Sequence, residues 1–321
     1  METLLSRSEI PIIDLAHLGS IEKPTRSNLK KVAAQLHRSL AQKGIAFLVN
    51  HGISNNRLEA AYSAMDRFCD LPRNTRELYL RHPPSNHGYV PPGVERFSKE
   101  PADEARHTFN VLWLDRGLPE SEVPGFRAIV TSVAYDFQRV ASLLLRVLAA
   151  GFELPTDYLL DMHRGMLGED NETCVRLLYY PPWTPEVDEA AIRCGEHTDY
   201  GSFTLLAQDS EGGLEVKTAA GEWARVGFLP GALIINTGEL LSFWTKGEYT
   251  AIPHRVVMPD QASVRSRARH AVVFFVHPDN NTPLTPLPSH VQLTNNPSPI
   301  LPGSVQTAYQ YLQMRFGDTY A

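Results

Sequence analysis

Between residues 173 and 278 the chain is cut into short β-type runs by closely spaced turn signals, and no other feature limits its fold so strongly. The runs fall at 175–180, 203–207, 214–217, 232–236, 254–258 and 270–276. Glu211-Gly212-Gly213, Ala220-Gly221 and Pro230-Gly231 separate several of them. Many short strands with such turns imply a sandwich or a barrel.

The chain up to about residue 165 has a different texture. Residues 10–14 read as a short strand. A helix follows over 25–43, with Leu29, Val32, Leu36 and Leu40 at helical spacing and Gly44 closing it. Residues 45–49 read as a buried strand that stops at Asn50-His51-Gly52. Further helices are predicted over 54–71 and 125–151, with a Pro- and Gly-rich loop over 82–102. A Pro-rich loop and a last helix, 304–316, end the chain. The natural division is therefore 1–165 and 166–321, packed as one unit.

Composition excludes some functions. The 321 residues carry a net charge of −6, whereas nucleic-acid binding needs a basic face, so no nucleic-acid partner is expected. The three cysteines, Cys69, Cys174 and Cys194, form neither a disulfide framework nor a zinc knuckle and suit a reducing compartment. The first eight residues lack an apolar core, and the most apolar stretch, 140–150, is short and contains Arg146. A cytoplasmic protein without a membrane partner is the expectation. Oligomeric state is left open by the sequence.

Ligating side chains gather in the β-rich part. His197-Thr198-Asp199 sets an imidazole and a carboxylate two residues apart, which on a strand share one face. His254 lies on a later run and can return to the same barrel. Two His and one carboxylate occupy one face of an octahedron and leave three positions open. A lone His-x-Asp says little, because most polar pairs are merely satisfied or exposed. Arg269 adds to it. It opens a run in which Ala271, Val273 and Phe275 share its face, and a buried Arg there needs an anion, held through paired hydrogen bonds. The alternative is a surface charge ending the basic series Arg265, Arg267, Arg269.

Taken in order, these segments resemble the isopenicillin N synthase-like group of 2-oxoglutarate- and Fe(II)-dependent dioxygenases. Residues 10–14 and 44–52 resemble its N-terminal segments. Arg176-Leu177-Leu178-Tyr179-Tyr180-Pro181-Pro182 resembles its R-L-N-Y-Y-P-P segment. His197 to Ser202, Gly212 to Val216, Asn236-Thr237-Gly238-Glu239, His254-Arg255-Val256 and Arg269 to Pro278 follow in the family's order. The resemblance implies a mainly β fold with flanking helices, built on a distorted double-stranded β-helix (jelly roll). It implies that His197, Asp199 and His254 hold Fe(II). Arg269 would bind the distal carboxylate of 2-oxoglutarate, helped by the Tyr180 hydroxyl. The implied reaction consumes O2, releases succinate and CO2, and oxidises, in the first instance hydroxylates, a small organic molecule, with ascorbate as a stimulant.

Two positions depart from the family. Ala271 replaces the Ser of its Arg-x-Ser, and Leu178 replaces its Asn. Losing the hydroxyl costs about 0.5–1.5 kcal/mol of net hydrogen bond. The departures keep in view an Fe(II)/O2 oxidase of the same fold that does without 2-oxoglutarate. Two more distant readings are a zinc hydrolase or isomerase on a cupin-like barrel and a non-catalytic binding module.

Aromatic and amide residues supply substrate-contact candidates: Tyr200 beside Asp199, Phe243 with Trp244, Tyr89, and Asn110. His51 reads as a turn-stabilising side chain, and His270 and His277 as structural or peripheral. Nothing near Cys194 suggests an activated thiolate. The last helix is placed to cap the barrel mouth or to pack as ordinary core.

Overall fold

The strands in chain order are β1 (Thr3–Leu5), β2 (Ile12–Asp14), β3 (Ile45–Val49), β4 (Gly88–Val90), β5 (His107–Val111), β6 (Cys174–Tyr180), β7 (Cys194–His197), β8 (Phe203–Gln208), β9 (Leu214–Lys217), β10 (Trp223–Val226), β11 (Leu233–Thr237), β12 (His254–Val256) and β13 (Arg269–Val276). The helices are α1 (Arg26–Lys43), α2 (Asn55–Cys69), α3 (Arg73–Arg76), α4 (Phe126–Gly151), α5 (Tyr158–Asp161), α6 (Glu239–Trp244) and α7 (Ala308–Thr319). They come from a computed structural model of the chain, which describes residues 3–5, 10–18, 24–97, 104–183, 192–258, 265–288, 301 and 303–320.

Local chemistry sets the first long helix. The Thr25 hydroxyl accepts from the Asn28 amide at 3.2 Å and caps the start of α1. Gly44, at φ +67°, ends it by donating its N–H to the Leu40 carbonyl at 3.0 Å. That left-handed residue turns the chain straight into β3.

Two sheets form the core. One has eight strands in the order β2-β3-β11-β8-β13-β6-β5-β4, and the other five in the order β1-β10-β9-β12-β7. Alternation along the strands separates two apolar layers. On β13, Val272, Phe274 and Val276 belong to the apolar layer shared with α2 and α4, in a cluster with Leu36, Phe68, Phe137 and Leu144. Ala271 and Val273 face the other way and meet Leu214, Val216 and Val256 of the smaller sheet. The jelly-roll expectation agrees with this arrangement of mostly β sheets flanked by helices.

The division near residue 165 does not coincide with a gap in the sheet. β3 pairs with β11, and β5 with β6, so early and late segments share one hydrogen-bonded layer. α4 is long and apolar enough to cross a membrane by composition, yet its apolar side is part of this core: Val130, Val133, Phe137, Val140 and Leu144 are all buried.

Several local expectations change. β4 interrupts the predicted loop over 82–102, whose last residues lie outside the described ones. β7 and β10 fall outside the predicted β-type runs. The run at 254–258 is strand only to Val256. The last helix starts later than predicted, because Thr307 and Gln310 form a reciprocal capping box that fixes its first turn at Ala308. Much of the preceding Pro-rich loop lies outside the described residues.

Candidate active site

Antiparallel pairing of β12 with β7 puts His254 directly opposite His197. Their ring centroids are 4.2 Å apart. Each Nδ1–H donates to a carbonyl two residues back: His197 to Gly195 at 2.9 Å and His254 to Ile252 at 3.1 Å. A carbonyl only accepts, so both protons sit on Nδ1 and both Nε2 lone pairs are free. Those Nε2 atoms lie 3.9 and 3.8 Å from Oδ1 of Asp199. One ligand atom from each of the three residues falls within 4.8 Å of the others.

The sequence placed Asp199 on a strand with His197. The structure ends β7 at His197, and Asp199 belongs to the loop that follows. That loop is held from below. The Glu239 amide donates to the Asp199 carbonyl at 2.8 Å, and the Gly238 amide to that of Ser202 at 3.0 Å. A Cβ on Gly238 would lie 2.2 Å from the Gly201 carbonyl oxygen, so only glycine allows this approach. Asn236 then donates to Oδ2 of Asp199 at 2.6 Å, leaving Oδ1 toward the imidazoles.

Charge states follow from the surroundings. Burial, then the neighbouring His197, push the His254 imidazole down to about 4, and burial also lowers that of His197. Burial alone would raise the Asp199 carboxyl; His254 and His197, with hydrogen bonds from Thr204 and Asn236, outweigh it and hold the group below its usual value. Two neutral imidazoles and one carboxylate make a donor set suited to a divalent first-row metal.

Arg269 and Tyr180 are register partners on β13 and β6 and line the same cavity as the three ligand-type residues. Arg269 is 1% exposed, which excludes the surface-charge alternative. Its Nε donates to the Gly212 carbonyl at 2.8 Å and its Nη2 to Oε1 of Gln208 at 2.9 Å. Its guanidinium carbon lies 4.8 Å from the Tyr180 ring centre. Nη1 is buried and has no hydrogen-bond partner among the described residues. A buried donor of this kind fits a bound anion. Ala271 and Leu178 line the same cavity and bring it no polar side-chain atom.

A second cavity shares His197 and Asp199 with the first. Tyr200, Glu95, Arg176, Phe275, His277 and Tyr320 are among its walls. Tyr200, expected from the sequence, is therefore present, bonded to the Thr319 hydroxyl and covered by the Arg315 guanidinium at 4.3 Å. The other three substrate-contact candidates line neither cavity. Tyr89 is core beside Phe68, with its hydroxyl 2.7 Å from Nδ1 of His107. Phe243 packs against the main apolar cluster. Asn110 is fully buried behind Arg176, accepting from its Nε at 2.7 Å.

Sequence reasoning missed a buried charge network. Arg106 pairs with Glu95 at 2.7 Å and Glu104 at 2.9 Å, and Arg176 with Glu95 at 3.0 Å. Burial would raise the Glu95 carboxyl, but Arg176 and Arg106 pull it down to about 2. Alternation back from Tyr180 through Leu178 is the signal that finds Arg176. Glu95 and Tyr320 come from non-repetitive segments that carry no such signal. His277, read as peripheral, is buried on the second cavity's wall, and burial pushes it down to about 3. His51 does close its turn, with Nε2 bonded to the Gly231 carbonyl at 3.0 Å and Nδ1 to the Ile53 amide at 3.1 Å. Burial raises the Cys194 thiol to about 12, so it is no activated thiolate.

Two imidazoles and a carboxylate inside a double β-sheet core are the arrangement of a non-haem iron centre. Comparison with known proteins agrees. Residues 171–278 match the model of the 2OG-Fe(II) oxygenase superfamily, and residues 10–119 that of the non-haem dioxygenase N-terminal region named for morphine synthesis. The 2-oxoglutarate-dependent dioxygenase frbA of Dothideomycetidae sp. is 32% identical over 288 residues, covering 80% of this chain and 82% of that protein. The 2-oxoglutarate-dependent dioxygenase htyE of Aspergillus rugulosus is 30% identical, covering 89% and 93%. A full-length Neurospora crassa protein, solved in complex with alpha-KG and thymine, superposes with a TM-score of 0.83 at 23% identity, over 97% of both chains. The chain belongs to the 2OG-Fe(II) oxygenase superfamily and is a 2-oxoglutarate- and Fe(II)-dependent dioxygenase acting on a small molecule.

Proposed function

We propose that this enzyme hydroxylates a compact organic substrate seated in the second cavity, with His197, Asp199 and His254 as the iron ligands and Arg269 as the clasp for 2-oxoglutarate. The observation that carries this reading is the bare, buried Nη1 of Arg269 on the wall that also holds the three ligand-type side chains.

Bound Fe(II), with O2, supplies the oxidising chemistry. The net change is R–H + O2 + 2-oxoglutarate → R–OH + succinate + CO2. The protein's own residues arrange it. Gly195 and Ile252 fix the imidazole tautomers, and Asn236 and Thr204 fix the carboxylate. Arg269, braced by Gly212 and Gln208, offers its free N–H to the distal carboxylate, with Tyr180 beside it. Apolar walls from Leu206, Ile234 and Val273 exclude water from the co-substrate's chain.

The second cavity combines aromatic faces, Phe97, Phe275 and Phe316, with the polar groups of Asn86, Tyr200 and His277. That mixture suits a small molecule with one apolar face and hydrogen-bonding edges. A cytoplasmic site of action, with no nucleic-acid or membrane partner, fits the three free cysteines and the net charge of −6.

The apolar side chains of Ala271 and Leu178 motivate the one competing reading, an oxidase that bypasses 2-oxoglutarate. A panel of small substrates with Fe(II), ascorbate and 2-oxoglutarate, read by succinate and product mass, decides it. Succinate in step with a product heavier by the mass of one oxygen atom supports hydroxylation. Product formed without succinate overturns it.

A further inference from the structure

Arg193, just before β7, is fully buried at 0% exposed, and none of Nε, Nη1 and Nη2 has a hydrogen-bond partner among the described residues. A buried guanidinium with five unmet N–H groups is costly unless an anion is close. The nearby acids are engaged elsewhere. Asp209 bonds the backbone and ring of His270, and Glu211 pairs with Arg267 at 2.9 Å. Arg193 and Arg269 share one aromatic neighbour, their guanidinium carbons lying 5.9 and 4.8 Å from the Tyr180 ring centre. They also flank one glycine pair. Gly212 accepts from Arg269, and the position of a Cβ on Gly213 lies 3.8 Å from Nη1 of Arg193. Two cations, each with bare N–H groups, thus sit around one ring.

We infer that Arg193 is a second positioning cation for the 2-oxoglutarate carboxylate that Arg269 clasps, standing in electrostatically for the polar groups that Ala271 and Leu178 do not provide. The inference rests on the Arg269 reading above. Burial, and then the charge of Arg269, lower the Arg193 guanidinium to about 10, as expected of a cation held beside another cation. An anion beside Arg269 relieves both the desolvation and the mutual repulsion. At an effective dielectric near 20, one unit charge within about 10 Å changes binding by roughly tenfold or more.

The test is calorimetric binding to the Mn(II)-loaded protein without O2, using 2-oxoglutarate and, as probe, 2-oxopentanoate, which lacks the distal carboxylate. Arg193→Met is expected to weaken 2-oxoglutarate binding by about tenfold and leave 2-oxopentanoate unchanged. Arg193→Lys, which keeps the charge, should recover most of the loss. Where Arg193→Met is too unstable, Arg193→Gln serves in its place. Wild-type affinity in the uncharged variant, or equal loss for both keto acids, overturns the role of Arg193. Arg269→Met checks the reading beneath: if it too binds 2-oxoglutarate normally, the carboxylate pocket is misassigned, whereas a normal Arg193 variant beside a weakened Arg269 variant removes Arg193 alone.

Discussion

His197 and His254 are cross-strand partners, and their Nε2 atoms approach the same oxygen, Oδ1 of Asp199, at 3.9 and 3.8 Å. The shared oxygen makes Asp199 the hinge of the site. It is the one negative charge among the three ligand-type residues. Asp199→Ala should lower metal affinity by more than about 100-fold, beyond what loss of an outer partner produces, and abolish succinate formation. Its circular dichroism should match the parent. Metal analysis of the purified variant checks the first point; stoichiometric iron with normal turnover would refute the ligand assignment.

Asn236 acts one step further out. Its amide is 2.6 Å from Oδ2 of Asp199, which keeps the other oxygen pointing inward. Asn236→Ala removes that donor and leaves Thr204 as the remaining side-chain hydrogen bond on the carboxylate, which is held less firmly. Metal affinity should fall about 10- to 100-fold, with a smaller effect on folding. Titration with Mn(II) measures it, and an unchanged affinity would show that the loop alone orients Asp199.

Ala271 offers a gain rather than a loss. It lies on the face of β13 that carries Arg269 and lines the same cavity. Ala271→Ser adds one hydroxyl with little added volume. If 2-oxoglutarate lies against this wall, its KM should drop by about two- to tenfold, the worth of one net hydrogen bond. An unchanged or higher KM would mean that the co-substrate's carboxylate does not reach this position.

The sequence made the three ligand-type residues legible through their order along the chain and the strand positions of His197 and His254, although Asp199 lies in the loop after β7. The paired register of β7 and β12 turned two distant imidazoles into neighbours. Arg269 was legible for the same reason, as the polar end of an apolar face. The second cavity was not. Glu95, Phe97 and Tyr320 reach it from irregular segments, where no period says which way a side chain points. Tyr89 and Phe243 misled because an aromatic residue fills core and cavity equally well, and only the packing around Phe68 and α6 separates the two. Asn110 misled differently: its amide is spent on Asn86 and Arg176 behind the wall.

Gly238 shows how backbone contact supports the chemistry. With Gly201 directly beneath it, a methyl group has no room. Gly238→Ala must push the start of α6 away from the loop that presents Asp199. A cost of about 1–3 kcal/mol is expected for such overpacking, with metal affinity falling alongside stability. Denaturant unfolding and metal titration on the same variant test the coupling, and lowered stability with intact metal binding would separate the two.

His270 supplies the pH dependence. Nε2 is 2.6 Å from Asp66 on α2, and Nδ1 is 3.2 Å from Asp209 just after β8. Burial alone would lower this imidazole, but the bonds to Asp209 and Asp66 outweigh it and raise it above its ordinary 6.5. The folded protein therefore keeps the proton over a range where the unfolded chain has released it. The stabilisation is fully present below the unfolded value and is lost as pH rises through the folded one. His270→Gln should be less stable than the parent at pH 6, and the gap should narrow as pH climbs to 9. Urea unfolding of both proteins across that range decides the matter. A gap that is constant or widens with pH would mean that the imidazole bridges α2 to β13 in its neutral form.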